Sequence, residues 1–210
     1  MSPTGASANG HPDGELNLTR AASITGIPQI VSTMSSISIS DLAAERDQLQ
    51  GQEGRVRAPI WWQLYIMTDR RESERRIMRA VEAGAEAIVI TVDVAAIGKR
   101  EADAKVDVSR GAKGGAKPGG GVAATGAKLF DGEFASSRLA SESLILSPPA
   151  DMTWADIAWV KKFAPGLPIL IKGIACVEDV ELARKHGASG VILSNHGVRA
   201  FAGHHLFEQY

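Results

Sequence analysis

Gly190-Val191-Ile192-Leu193 runs directly into Ser194-Asn195-His196-Gly197. Four apolar residues followed by a polar tetrapeptide describe a buried strand that delivers an imidazole to its carboxyl-terminal mouth. Two other runs end in the same way. Ile88-Val89-Ile90 leads into Thr91-Val92-Asp93, and Pro168-Ile169-Leu170-Ile171 leads into Lys172-Gly173. Each ends on a group able to move a proton or hold a charge. In a parallel barrel, active sites are built at that end of the strands.

Working outward, the chain alternates strand and helix. Strands are expected over 29–33, 60–65, 87–92, 169–172 and 190–194. They are short, β-branched and nearly continuous in apolarity, as expected for strands buried on both faces of a parallel sheet. The helix expected over 72–83 places Ile77, Met78 and Val81 on one side. Thr153 reads as an N-cap with Asp156 three residues on, and Trp154, Ile157 and Val160 form a core-facing stripe. Val177, Val180 and Ala183 form another before Gly187, a C-cap. The unit Ala83-Gly84-Ala85 leading into 87–91 is echoed by His186-Gly187-Ala188 leading into 190–194. Repeated βα units with short loops predict an α/β fold. The pattern alone does not separate a barrel from an open doubly wound sheet.

The 210 residues are 44% hydrophobic, enough for one sizeable core. With 23 basic and 24 acidic residues the formal charge is −1, so there is no basic excess for nucleic acid or an anionic membrane. No apolar stretch approaches the roughly 18 residues needed to span a bilayer. The single cysteine, Cys176, excludes an internal disulfide and fits a reducing compartment. The first residues have neither the basic n-region nor the apolar h-region of a signal peptide, and they are poor in arginine. The expected location is therefore the cytoplasm. The segment 109–127 is rich in Gly, Ala and Lys and poor in bulky side chains, as in a flexible surface insertion. It lacks the Gly-Lys-Ser/Thr of a phosphate loop. His204 and His205 are adjacent and have no spaced partners, so no metal site is expected.

Each chemically interesting residue also has a bland role. His196 alone suits a satisfied structural histidine. Asp93 suits a helix N-cap or turn, Tyr65 a ring capping the core, and Lys172 a side chain snorkelling to the rim. Arg100 and Arg199 suit solvated loop positions.

The ordered set TVD, IKG and SNHG resembles the FMN-dependent 2-hydroxy-acid dehydrogenases and oxidases. That family includes glycolate and lactate oxidases and the flavin domain of yeast-type L-lactate cytochrome c oxidoreductase. Ser2-Pro3-Thr4, His11-Pro12-Asp13-Gly14-Glu15, Trp62-Gln63-Leu64-Tyr65 and Gly98-Lys99-Arg100-Glu101 match as well, in the same order and spacing. The resemblance decides for a (β/α)8 TIM barrel, here incomplete, with about six βα units in residues 1–199 and a tail without family character over 200–210. It implies FMN as cofactor and an L-2-hydroxy acid, lactate or glycolate, oxidised to the 2-oxo acid. A side chain cannot accept the electrons, so a flavin or nicotinamide must, and the resemblance implies the flavin. By the same resemblance His196 is the base, since an imidazole can accept a proton at neutral pH, and Asp93 is its partner. Tyr65, Arg100 and Arg199 bind substrate. Pro3, Thr4, Ser36, Gln63, Thr91 and Lys172 contact the flavin, with Lys172 stabilising its anionic reduced form. Family enzymes are often homo-oligomers, and mitochondrial or peroxisomal relatives are expected alongside cytoplasmic ones.

The departures from the family lie at the end. Val198 stands where the family has a second glycine before the arginine, and after Arg199 the resemblance stops. The flavin phosphate site of the family lies in strands beyond this point. A catalytically inactive truncated remnant or interaction form is therefore the alternative expectation. A nucleotide dehydrogenase barrel would need a catalytic cysteine loop, and Cys176 falls at a helix start.

Overall fold

The computed structural model describes residues 1–93 and 152–198. Its centre is a parallel sheet of β1 (Gln29–Val31), β2 (Ile60–Leu64), β3 (Ala87–Thr91), β4 (Ile169–Ile174) and β5 (Gly190–Leu193), in that spatial order. A doubly wound sheet reverses its strand order at a switch point, whereas a barrel adds strands in sequence. Five consecutive parallel neighbours without a reversal are an arc of a barrel. The incomplete barrel expected from the sequence is what the structure shows. Five strands lie among the described residues, at the five places expected from the sequence. β3 and β4 pair directly, Ile88 with Ile169 through Thr91 with Lys172. No further strand can lie between them. The far edge of β1 is met by Met1, whose carbonyl accepts from Ile30 N–H at 3.2 Å and whose ammonium donates to the Pro28 carbonyl.

The two faces of the sheet differ in kind. Val31, Ile60, Trp62, Leu64, Ile88, Ile90, Ile169 and Ile171 pack with helical side chains such as Leu42, Ile77, Ile157 and Val160 in one core. The alternate residues, Trp61, Gln63, Val89, Thr91, Leu170 and Lys172, therefore line the inner face. Towards the carboxyl end that face becomes polar, and this is where the site lies.

The helices are α1 (Leu16–Thr25), α2 (Ile39–Leu49), α3 (Arg70–Glu82), α4 (Ala155–Phe163) and α5 (Val177–Lys185). Ser38 caps α2 by accepting from Asp41 N–H at 3.0 Å. In α3 the buried stripe is Ser73, Ile77 and Ala80, and Met78 is exposed, not core-facing. Positions 73, 77 and 80 follow the i, i+4, i+7 rhythm, and 78 lies about 100° off that line. Ile157 and Val160 of α4 are buried as expected. Val177 is 71% exposed, against expectation. α5 buries Asp179 and Ala183 instead, one turn apart, which leaves Val177 at the open N-terminus. Gly187 follows α5 with φ 87°, the left-handed turn that glycine allows.

Asp156 secures α4 at both ends of its carboxylate. Oδ2 accepts from Thr153 N–H at 2.8 Å, and Oδ1 takes Arg70 Nη1 at 2.6 Å. Arg70 also lies over the Trp159 ring, 5.1 Å from its centroid. Asp156→Ala is expected to lower stability by about 1–2 kcal/mol through the lost cap and ion pair. A denaturant midpoint equal to wild type would refute that assignment.

Candidate functional site

The site is assembled at the carboxyl ends of β2 to β5. Asp93 follows β3, its side chain 8% exposed. One oxygen, Oδ1, lies 2.8 Å from His196 Nδ1. The other, Oδ2, accepts from Ser194 Oγ at 3.1 Å and lies 3.5 Å from Lys172 Nζ. Burial opposes ionisation of Asp93. The His196 hydrogen bond, the Lys172 charge and the Ser194 hydroxyl outweigh it and hold the carboxyl below its usual range. An ionised carboxylate only accepts, so His196 Nδ1 carries a proton, and in the neutral ring Nε2 presents a lone pair. Nε2 lies 3.3 Å from Tyr65 Oη. Tyr65, Asp93, Lys172 and His196 thus meet at one mouth from four different strand ends.

A second polar network joins the first. Gln63, 1% exposed, accepts from Thr33 N–H at 3.0 Å and Ser32 Oγ at 3.4 Å. Its Nε2 donates to Thr91 Oγ1 at 3.0 Å. Thr33 Oγ1 donates to the Gln63 carbonyl and accepts Tyr65 N–H at 3.1 Å. Thr91 is the register partner of Lys172. The hydroxyls and amide of β1 to β3 therefore continue into the Lys172, Asp93 and His196 cluster.

Backbone geometry makes room for this. The β4–β5 register shifts between Lys172 and Ile174, and Gly173 there has φ 114°. A Cβ on Gly173 would stand 2.6 Å from Asp93 Cβ and 2.7 Å from Asp93 N. Only glycine lets β4 bring its backbone against Asp93. His196 itself has φ 55°, in the left-handed region that only a few per cent of non-glycine residues enter.

Pro3 and Thr4 precede a contact in which Ala6 N–H donates to the Met34 carbonyl at 2.8 Å, just after β1. Ser36 lies on the same loop. Its N–H donates to the buried Glu15 carboxylate at 3.0 Å, and its Oγ accepts Ala8 N–H at 3.2 Å. These residues share the β1 side of the mouth. Arg100 and Arg199, the segment 109–127 and the tail 200–210 lie outside the described residues. Two residues of the cluster had no role in the sequence reading, Ser194 and Gly173. Both stood in the quoted motifs, Ser194 as a strand-end hydroxyl and Gly173 as the glycine after a strand-end lysine. Among the described residues no three metal-ligating side chains cluster, and no helix is long and apolar enough to cross a membrane.

The profile of the FMN-dependent dehydrogenases matches residues 1–205. The chain belongs to that family. It is 34% identical to L-lactate dehydrogenase (cytochrome) of Wickerhamomyces anomalus over 199 residues, 95% of this chain and 31% of the relative. It is 33% identical to glycolate oxidase 5 of Oryza sativa subsp. japonica over 205 residues, 95% of this chain and 50% of the relative. Among solved structures, mandelate oxidase with (S)-4-hydroxymandelic acid is similar, with TM-score 0.67 and 33% identity over 94% of this chain and 50% of that one. A flavocytochrome b2 mutant with pyruvate bound is also similar, with TM-score 0.68 and 30% identity over 94% of this chain and 42% of that one. The chain therefore spans about a third to a half of the length of these relatives.

The depressed Asp93 carboxyl has a consequence for acid stability. Its ionised form is favoured in the folded state, so its contribution is complete above the unfolded value of about 3.9. That contribution declines as pH falls below this value and is lost once pH passes through the lower folded value. Asp93→Asn is expected to remove this part of the pH dependence. Identical acid denaturation curves for Asp93→Asn and wild type would contradict it.

Proposed function

We propose that this chain forms the base-bearing half of an FMN-dependent oxidoreductase that converts an L-2-hydroxy acid, such as lactate or glycolate, into the 2-oxo acid. The observation that carries the reading is the Asp93, His196 and Tyr65 row, which leaves a basic imidazole nitrogen and a phenol facing the same space. The inner-face donor set also suits a flavin ring. Lys172, a residue 5% exposed, offers an ammonium, and the Asp93 carboxylate lies 3.5 Å from it. Thr91 Oγ1 accepts from Gln63 and keeps its own proton to donate.

In this reading Lys172, Thr91 and Gln63 hold the ring edge, while Pro3, Thr4 and Ser36 approach from the β1 side. FMN, when bound, would accept the two electrons and one of the two protons that the hydroxy acid loses. His196 Nε2 takes a proton from the hydroxy acid as it becomes the oxo acid. Asp93 stays ionised, keeps Nδ1 protonated, and stabilises the imidazolium once Nε2 is charged. Tyr65 Oη orients the substrate beside Nε2. Arg100 and Arg199 are the proposed partners of the substrate carboxylate, since a guanidinium binds that group in a bidentate way. The single cysteine supports a reducing compartment, and we place the protein in the cytoplasm. Cell fractionation that finds it in an oxidising compartment would contradict that placement. The reading as a whole is tested by adding FMN and a 2-hydroxy acid and assaying for the 2-oxo acid. Absence of product from lactate, glycolate and mandelate with FMN bound would refute it.

A second reading rests on β5. Every residue of β5 is half-buried or exposed, and Leu193 is 74% exposed, whereas all of β3 is buried. The 210-residue polypeptide on its own would then be a half barrel that holds FMN weakly and turns nothing over. Flavin absorbance in the purified polypeptide, with turnover, excludes this; colourless protein that stays inert in excess FMN supports it.

A further inference from the structure

Ser194 directly follows β5, and its N–H donates to the Ile174 carbonyl of β4 at 3.4 Å, so its position is fixed by the sheet. A hydroxyl has one proton and two lone pairs. His196 N–H donates to Ser194 Oγ at 3.0 Å, which uses a lone pair. The proton therefore goes to Asp93 Oδ2, 3.1 Å away. One oxygen thus fixes both anchors of the imidazole. It holds the His196 backbone in its left-handed conformation, at φ 55°, and it holds the carboxylate that receives Nδ1–H.

We infer that Ser194 is a positioning residue that sets the tautomer and the aim of His196; its catalytic consequence rests on the hydroxy-acid reading. Without the hydroxyl, the remaining partner of Asp93 Oδ2 among the described residues is Lys172 Nζ at 3.5 Å. The carboxylate then turns towards the ammonium and away from Nδ1. The His196 N–H loses its acceptor at the same time, and the strained backbone loses the contact that selects it. The imidazole becomes free to exchange tautomers and to move away from Tyr65 Oη.

The test compares wild type, Ser194→Ala and Ser194→Thr, each with 15N-labelled histidine, at neutral pH. The chain has five histidines, and the signal lost in His196→Gln identifies the one in question. Wild type is expected to show a slowly exchanging Nδ1–H and an unprotonated Nε2. Ser194→Ala is expected to lose that protection by about tenfold or more, as for one lost hydrogen bond to a charged group. Its kcat for the hydroxy acid is expected to fall about 10–100-fold, with KM and FMN content little changed. Ser194→Thr, which keeps the hydroxyl, is expected to restore both the ring proton and the rate. An unchanged Nδ1–H in Ser194→Ala, or a failure of threonine to restore it, overturns the inference. If wild type oxidises no 2-hydroxy acid, the functional reading falls, and the ring-proton comparison still decides the role of Ser194.

Discussion

Exchange of His196 for glutamine is expected to lower turnover of a 2-hydroxy acid by about 10²–10⁴-fold while FMN stays bound. Glutamine is close in size and can still hydrogen-bond Tyr65 Oη, which lies 3.3 Å from Nε2 in the native site. It cannot take a proton at neutral pH. The flavin partners proposed on the inner face, Lys172, Gln63 and Thr91, do not depend on the imidazole, since Gln63 and Thr91 bond one another. Turnover assays with parallel flavin absorbance check both halves of the expectation. A near-native rate in His196→Gln would make His196 a structural residue and remove the base from the account.

The second large effect belongs to the backbone. Gly173→Ala places a methyl group 2.6 Å from Asp93 Cβ at a residue with φ 114°. Forcing an L-residue into positive φ costs roughly 1–2 kcal/mol. Overpacking against a fixed backbone adds about 1–3 kcal/mol. The sum, about 2–5 kcal/mol, is a large share of the ~5–15 kcal/mol that holds a typical domain together. The neighbour cannot easily retreat, because Val92 N–H is bonded to the Lys172 carbonyl at 2.9 Å. The variant is expected to lower the denaturant midpoint strongly and to spread Asp93 away from His196. A midpoint within experimental error of wild type would show that β4 yields more than this geometry allows.

Both effects trace to features of differing visibility in the sequence. The strands were legible because a parallel strand is buried on both faces, so Ile88-Val89-Ile90 and Ile169-Leu170-Ile171 stand out as unbroken apolar runs. The site was legible because those runs stop on Asp93, Lys172 and His196. What a chain pattern does not show is that β3 pairs directly with β4 across the long connection between them. Ser194 and Asp93 are 101 positions apart, and nothing local in either marks the hydrogen bond that joins them. Gly173 is similar: its neighbour is Asp93, far away in sequence, and its role is set by contact with another strand. Helix faces were read correctly where bulky residues kept a strict period, as in Ile157 and Val160. They were misread where an apolar residue sat beside the true stripe, as with Met78 and Val177.

The central claim is that His196, held by Asp93, serves a flavin-linked oxidation of a hydroxy acid. Its most direct test is to load the protein with FMN, exclude oxygen, add L-lactate or glycolate, and follow the visible flavin band. The account predicts that the band bleaches as the 2-oxo acid forms, and that it does not bleach when the oxo acid itself is added or when His196→Gln replaces wild type. A bound flavin that stays oxidised in the presence of every 2-hydroxy acid tried would contradict it.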